Sequence, residues 1–199
     1  MTDIKKDPND HLTGPAFPET GCEASRPRPR LTVAISTMEA RCPRISLPPQ
    51  HPDVEILVIV QGSSSALPDR VTCRPDTRIV ESTTRGLSRS RNIAIAEACG
   101  KYLLIADDDL DFEIEGITAA LEALDADPDL SVITGMLLDE SGIPLKTYPE
   151  GPLIWTRWNA GRIGSPEIMM RLSHIRAAGL RFDPEFGAGS VFPSGEEYI

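Results

Sequence analysis

The chain alternates short apolar runs with segments in which apolar residues recur at helical spacing. Four runs are continuous and rich in β-branched or aliphatic residues: LTVAIS from Leu31, VEILVIV from Val54, TRIVES from Thr77 and KYLLIA from Lys101. Runs of this length are typical of strands that are covered on both faces, as in a parallel sheet. A fifth strand is predicted over LSVITGMLL, residues 130–138.

Two segments between these runs have the periodicity of helices. GITAALEALDADPD has apolar residues at i, i+3, i+4 and i+7 from Ile117 to Leu124. SRSRNIAIAEACG predicts a second helix, with Ser88 or Ser90 as its N-cap and Gly100 as its end. Strands that alternate with helices predict an α/β sheet with right-handed crossovers, and such sheets bind ligands at the carboxyl ends of their strands.

Composition places these elements in one domain. Residues 1–30 hold five prolines among charged and polar residues, which predicts a mobile N-terminal tail before a domain at 31–199. The net charge of −10 argues against nucleic-acid binding and against attachment to anionic membranes. The chain shows neither a secretory signal nor an apolar run near the roughly 20 residues of a membrane helix. Scattered cysteines argue against a zinc site, so we expect a cytoplasmic protein, with peripheral membrane association left open.

An acidic run follows the fourth predicted strand. Asp107, Asp108 and Asp109 are adjacent, and Asp111 is close behind. Because like charges repel, the run either forms a solvated loop in which Asp111 caps the next helix, or it binds a cation. Alternate Asp residues can converge on one hard cation, and Mg²⁺ and Mn²⁺ prefer oxygen ligands. A metal held in this way usually takes substrate phosphates as its other ligands.

The segment TRGLSRSRN precedes the helix that leads to this strand. Arg85, Arg89 and Arg91 lie within seven residues of an otherwise acidic chain. A guanidinium group donates two hydrogen bonds to phosphate, and a helix N-terminus adds N–H groups and a favourable dipole. The alternative is a charged, exposed helix start. Together the arginines and the acidic run fit a diphosphate held between arginines and a metal.

The stretch GLSRSRNIAIAEACGKYLLIADDD resembles the middle motif of the family 2 glycosyltransferases, whose nucleotide-sugar-binding fold is known as GT-A. In that family Gly-x-Ser-x-Ala-Arg-Asn precedes a helix, Gly-Glu-Tyr, apolar residues and an Asp-x-Asp-type cluster. Residues 181–199, RFDPEFGAGSVFPSGEEYI, are similar to its Phe-Asp…Phe-Gly segment and the acidic pair that follows. The resemblance implies one GT-A-like α/β domain, with a mostly parallel central sheet flanked by helices. Its Rossmann-like nucleotide-binding part would span about 31–112, and its acceptor and catalytic part about 113–199.

The resemblance also implies a reaction, the transfer of a sugar from a nucleotide-diphosphate sugar to an acceptor hydroxyl with inversion, in polysaccharide or glycoconjugate biosynthesis. Asp107 and Asp109 would hold Mn²⁺ or Mg²⁺ on the diphosphate. Glu197, or else Glu196, would be the general base. A UDP-sugar donor and a carbohydrate or glycolipid acceptor are the implied partners. Six residues are implied to contact the substrate: Thr37, Gln61, Arg85, Arg91, Asn92 and Asp108.

Three features depart from the family pattern. Gln61 stands where the family commonly has an Asp that contacts the nucleotide base, so the nucleotide stays open, although an amide can still bond a pyrimidine. TMEAR, from Thr37 to Arg41, replaces the usual Thr-Tyr-Asn. The sequence ends two residues after Glu197, where family members continue. We therefore expect either a fragment or a chain that acts with a partner.

Two other functions are compatible with an acidic run beside arginines. One is a truncated domain that binds nucleotide-sugar without turnover. The other is a metal-dependent nucleotidyl- or phosphotransferase, although the sequence has no Gly-x-x-x-x-Gly-Lys-Ser/Thr loop. A helix start after Ser194 is the structural alternative to a base in the acidic pair. Trp155 and Trp158 either stack on an acceptor sugar or pack against the sheet.

Overall fold

The computed structural model of the protein describes residues 28–156 and 158–195. The predicted tail up to residue 27 and both candidate bases, Glu196 and Glu197, lie outside the described residues. Pro29 and Arg30, which the sequence assigns to the tail, already bond to the sheet. The Lys101 N–H donates to the Pro29 carbonyl at 3.2 Å, and the Tyr102 N–H donates to the Arg30 carbonyl at 3.0 Å.

The described residues form one sheet with flanking helices. The strands are β1 (Leu31–Met38), β2 (Val54–Gln61), β3 (Thr77–Ser82), β4 (Tyr102–Asp107), β5 (Val132–Thr134) and β6 (Ile168–Arg171). The α-helices are α1 (Asp69–Thr72), α2 (Leu87–Glu97), α3 (Ile114–Ala126) and α4 (Leu172–Ala177). Single-turn or short 3-10 helices lie at Glu39–Arg44, Ser64–Ala66, Ala160–Arg162 and Ser165–Glu167. In these described parts, no helix combines the length and apolarity that crossing a bilayer requires.

The strand order is β3-β2-β1-β4-β6-β5. Strands β1 to β4 pair in parallel, whereas β6 is antiparallel to both of its neighbours. The chain moves outward from β1 through β2 to β3 and then returns to place β4 on the other side of β1. The carboxyl ends of β1 and β4 therefore flank a switch point, which is where open α/β sheets bind ligands. The predicted α/β domain with a mostly parallel sheet is confirmed.

The core lies on both faces of the sheet, as the continuous apolar runs predict. Alternate residues of β2 face opposite sides, and all five from Ile56 to Val60 are fully buried. On one face α3 contributes Leu121 and Leu124. On the other face α2 and α4 pack against the sheet. The central strands are thus covered on both faces.

Two local predictions were wrong. The fifth strand keeps only three residues because its partner β6, which the pattern did not predict as a strand, supports pairing over Val132–Thr134 alone. Helix α2 has Gly86 as its N-cap, and neither Ser88 nor Ser90 caps it. Both hydroxyls make tertiary bonds instead, Ser88 to the Phe186 carbonyl at 2.7 Å and Ser90 to the Ser36 hydroxyl at 2.7 Å.

Gly100 has a different role from the predicted one, since α2 already ends at Glu97. A Cβ atom at Gly100 would lie 2.5 Å from the Thr32 nitrogen and 2.7 Å from the Tyr102 carbonyl oxygen. Its N–H donates to the Thr32 hydroxyl at 2.8 Å. Glycine is needed here because the chain enters β4 in close contact with the backbone of β1.

Candidate active site

Thr37 and Asp108 meet at the switch point of the sheet. Ser36 of β1 pairs with Asp107 of β4, so Thr37 and Asp108, the residues that follow them, enter the same crevice. The Thr37 hydroxyl donates to the Asp108 carboxylate at 2.6 Å. Asp108 is only 5% exposed. The middle carboxylate of the acidic run is therefore buried and bonded, and it does not project into solvent.

Arg41 supplies the positive charge that faces Asp108. It lies on the 3-10 helix that follows β1, and its Nε donates to both Asp108 oxygens at 2.8 and 3.0 Å. Its Nη2 lies 2.6 Å from Asp108 Oδ1 and donates to Asp109 Oδ2 at 2.8 Å. Hydrogen bonds to Asp108 and Asp109 raise the pKa of Arg41 above its ordinary value. This role was not predicted from the sequence, where the one signal for it is that TMEAR departs from the family pattern.

Asp107 and Asp109 flank this buried carboxylate and differ in environment. The Asp107 side chain is 35% exposed, with Oδ1 at 3.9 Å from Nη2 of Arg91, and the Asp109 side chain is 65% exposed. Within the described residues no three His, Cys, Asp or Glu side chains form a metal-binding group. Accessible carboxylates on this loop fit a divalent ion that takes one or two ligands from the protein and the rest from substrate phosphates.

The three arginines of the predicted phosphate loop have separate environments. Arg85 and Arg89 are exposed, whereas Arg91 is buried to 1% exposure. The Arg91 guanidinium carbon lies 5.6 Å from the ring centroid of Phe182. Arg91 is thus a fixed positive charge beneath the acidic run, and Arg85 is the one of the three that lines an open cavity.

That cavity has a volume of about 270 Å³ and lies beside the end of β1. Met38, Glu39, Ala40, Gln61 and Arg85 line it. Two predicted substrate residues, Gln61 and Arg85, therefore share one cavity. Gln61 also fixes the arginine loop, because its amide oxygen accepts a hydrogen bond from the Gly86 N–H at 2.8 Å.

The N-terminus of α2 is less open than the sequence predicts. The Gly86 N–H is bonded to Gln61, and the Leu87 N–H donates to the Ala188 carbonyl at 3.0 Å. Gly86 has a φ of 121°, a conformation that other residues adopt only with strain. Two backbone donors that the sequence argument offered to phosphate are thus already used inside the protein.

The segment after α4 is fastened to α2. The Asn92 side chain donates from Nδ2 to the Phe182 carbonyl at 2.7 Å and accepts from the Phe182 N–H at 2.8 Å. The Phe186 carbonyl accepts from Ser88, and the rings of Phe186 and Phe192 stack at 4.9 Å. Asn92 therefore acts on the site by holding this segment, whose described part ends at Gly195.

Residues 135–156 and 158–167 form a largely irregular segment that Glu167 anchors. Its buried carboxylate accepts from Lys146 Nζ at 2.8 Å, from the Gly164 N–H at 2.7 Å and from the Tyr148 hydroxyl. Burial, and next the bond to Glu167, raise the pKa of Tyr148. Trp155 bonds Thr134 through its indole N–H at 3.0 Å, while Trp158 is 84% exposed. Sheet packing is thus excluded for Trp158.

Comparison with known proteins identifies a family. Residues 37–182, well over half of the chain, match the model of glycosyl transferase family 2. The match includes the crevice residues Thr37, Gln61 and Asp108 and the arginine loop. No curated protein matches the chain.

Solved structures share the fold at low sequence identity. TarS 1-349 from S. aureus in complex with UDP has a TM-score of 0.61 and 18% identity, over 85% of this chain and 53% of that one. The same protein in complex with UDP-GlcNAc has a TM-score of 0.59 and 17% identity, over 85% of this chain and 51% of that one. A third structure is the mannosyltransferase PcManGT from Pyrobaculum calidifontis in complex with GDP-Man and Mn²⁺. Its TM-score is 0.55 and its identity 19%, over 86% of this chain and 52% of that one. The chain thus spans about half the length of these neighbours.

Proposed function

The chain belongs to glycosyl transferase family 2, and on this premise we propose that it transfers a sugar from a nucleotide-diphosphate sugar to an acceptor hydroxyl. One observation carries the proposal. The acidic run, the buried Arg91 and the cavity of Gln61 and Arg85 converge on the carboxyl edge of the sheet at its switch point. These groups come from separate stretches of the sequence, and their charges and hydrogen-bond donors are of the types that bind a nucleoside diphosphate.

Donor binding follows from the chemistry of these groups. The cavity beside β1 would receive the nucleoside, where the Gln61 amide nitrogen can donate to a base carbonyl while its oxygen holds Gly86. The exposed guanidinium group of Arg85 would pair with phosphate oxygens. Bound ligands in the neighbours, UDP-GlcNAc in TarS and GDP-Man in PcManGT, support a nucleotide-sugar as the donor class. We favour a UDP-sugar.

The acidic run would hold the divalent ion of the proposal. Asp107 and Asp109 present accessible carboxylates, and Asp108 keeps the loop in place through Thr37 and Arg41. Bound Mn²⁺ or Mg²⁺ would supply positive charge that stabilises the leaving nucleoside diphosphate. A neighbour of the same fold in complex with Mn²⁺ supports this choice of ion.

Glu197, or else Glu196, is proposed as the base that takes the proton from the acceptor hydroxyl, with inversion as the stereochemical outcome. Support comes from the family resemblance and from the segment just before these residues, which Asn92 and Ser88 fasten to α2. Carbohydrate or glycolipid is the proposed acceptor class, and the cytoplasm the proposed compartment.

Isothermal titration calorimetry with a panel of nucleotide-sugars, with Mn²⁺ and with EDTA, tests the proposal. We expect Asp109→Asn to abolish the metal-dependent part of donor binding. Asp111→Asn is the matched control, because it removes the same charge from a carboxylate that bonds Ser46 at 2.9 Å. Glu197→Gln should preserve donor binding and stop transfer.

Three results contradict parts of this proposal. If the wild-type chain binds no nucleotide-sugar, the function is wrong. Equal metal-dependent affinity in wild type and Asp109→Asn removes Asp109 as a ligand. Transfer that persists in Glu197→Gln but is lost in Glu196→Gln moves the base to the neighbouring residue.

A further inference from the structure

Arg41 makes the acidic run unlike an open carboxylate cluster. Its guanidinium group contacts both oxygens of Asp108 and also Oδ2 of Asp109, all within 3.0 Å. The Arg41 side chain is itself 49% exposed. It thus bridges the buried carboxylate of Asp108 and the accessible carboxylate of Asp109.

The two contacts of Arg41 are not equivalent. Asp108 is buried and has two further constraints, the bond from Thr37 and its place directly after β4, so it cannot leave Arg41 without losing its shielding. Asp109 is two-thirds exposed and bonds Arg41 through one oxygen only, so water or a cation can replace that bond at little cost. The hydrogen bond between Arg41 and Asp109 is therefore the exchangeable one.

We propose that Arg41 is a built-in counter-ion of the acidic run, which competes with the divalent metal for Asp109 and so makes metal binding depend on the donor. The inference rests on the proposed function insofar as that function assigns the metal to Asp107 and Asp109. In the free protein the metal must approach a guanidinium group that already neutralises part of the charge of the run. A donor diphosphate brings two negative charges, which attract the metal and also give Arg41 an alternative anion to bond.

The expected size of the effect follows from charge and distance. A unit positive charge that bonds the same carboxylate as a divalent ion lies about 5 Å from that ion, and near-aqueous screening at this distance still weakens the binding of the ion about five- to twentyfold. Removing the positive charge of Arg41 should raise the affinity for the ion by the same factor. The effect should vanish when the exchangeable carboxylate is absent.

Mn²⁺ titration followed by electron paramagnetic resonance, without nucleotide, measures this directly. We expect Arg41→Gln to bind Mn²⁺ about five- to twentyfold more tightly than wild type, and Arg41→Lys to stay within about twofold of wild type. Adding Asp109→Asn to Arg41→Gln should remove the gain. Arg44→Gln is the matched control, because Arg44 lies on the same 3-10 helix, is exposed, and forms no ion pair with any described residue.

Several results would overturn the inference. Arg41→Gln could bind Mn²⁺ with unchanged or lower affinity, which would make Arg41 an organiser of the carboxylates and not a competitor. An equal gain in Arg44→Gln would show a general charge effect, and a gain that survives Asp109→Asn would place the ion elsewhere. Far-ultraviolet circular dichroism and urea melting check that each variant is folded.

The proposed function fails separately from this inference. If wild type binds donor with Mn²⁺ but Arg41→Gln shows no gain in metal affinity, only the counter-ion inference is rejected. Wild type that binds no donor rejects the transferase, even if Arg41→Gln gains affinity for Mn²⁺. The two measurements use different ligands, so neither outcome depends on the other.

Discussion

Thr37→Val removes one hydroxyl from the switch point and keeps the shape of the side chain. In the protein that hydroxyl donates to Asp108 at 2.6 Å, and Thr37 is 3% exposed. Water therefore cannot replace the lost donor. Asp108 would keep Arg41 as its only side-chain partner among the described residues.

The expected loss of stability follows from this burial. A hydrogen bond to a charged group contributes about 1.5–3 kcal/mol, and we expect the free energy of unfolding to fall by that amount. Thr37→Ser keeps the hydroxyl and loses one methyl group, which costs about 0.5–1.5 kcal/mol. The valine variant should thus be clearly the less stable of the two.

Urea unfolding followed by circular dichroism measures both variants, and a double-mutant cycle with Asp108→Asn isolates the pair. Because the two residues share one bond, the cycle should give a coupling energy of about 1 kcal/mol or more. If Thr37→Val loses less than about 0.5 kcal/mol, or if the two changes are additive, the buried charge does not depend on Thr37 and our account of the crevice is wrong.

Two further predictions concern the scaffold. Gly100→Ala should destabilise the fold by about 2 kcal/mol or more, since its Cβ would overlap the Thr32 backbone at 2.5 Å. Gly116→Ala, in an open stretch of α3, should instead stabilise the fold by about 0.5–1 kcal/mol. Urea midpoints of both variants check this. The pKa of Asp125 is lowered, chiefly by its bond from Lys101, so its contribution to stability is full above about pH 4 and is lost as the pH falls below that value. Asp125→Asn should therefore be less stable than wild type at pH 7, and this gap should narrow steadily as the pH falls from 4 to 2; an unchanged gap across this range would contradict the assignment.

Much of the scaffold could be predicted from the sequence because the signal is local. The continuous apolar runs of β1 and β2 reflect burial on both faces, and TRIVES corresponds to β3 residue for residue. The helical period from Ile117 to Leu124 reflects the packing of α3 on one face of the sheet. These are properties that a short window of sequence contains.

The missed features depend on partners that are distant in sequence. Arg41 lies 67 residues from Asp108, and nothing in TMEAR indicates that its side chain turns toward the acidic run. Ser88 has the composition of an N-cap, yet its hydroxyl bonds Phe186 across 98 residues. The acidic run lies at the end of β4, at the carboxyl edge of the sheet, as predicted, but the arginine that bonds Asp108 and Asp109 comes from the 3-10 helix after β1.

The pair of hydrogen bonds between the Asn92 side chain and the Phe182 backbone has a consequence for the segment that follows α4. Asn92 contacts only the backbone N–H and carbonyl of its partner, so it specifies where the later segment docks without constraining which side chains that segment carries. Asparagine suits this task because one planar amide offers a donor and an acceptor together, which aspartate of the same shape does not. Asn92 therefore sets the position of this later segment on the arginine helix through its backbone, and a different side chain at position 182 would leave both hydrogen bonds in place.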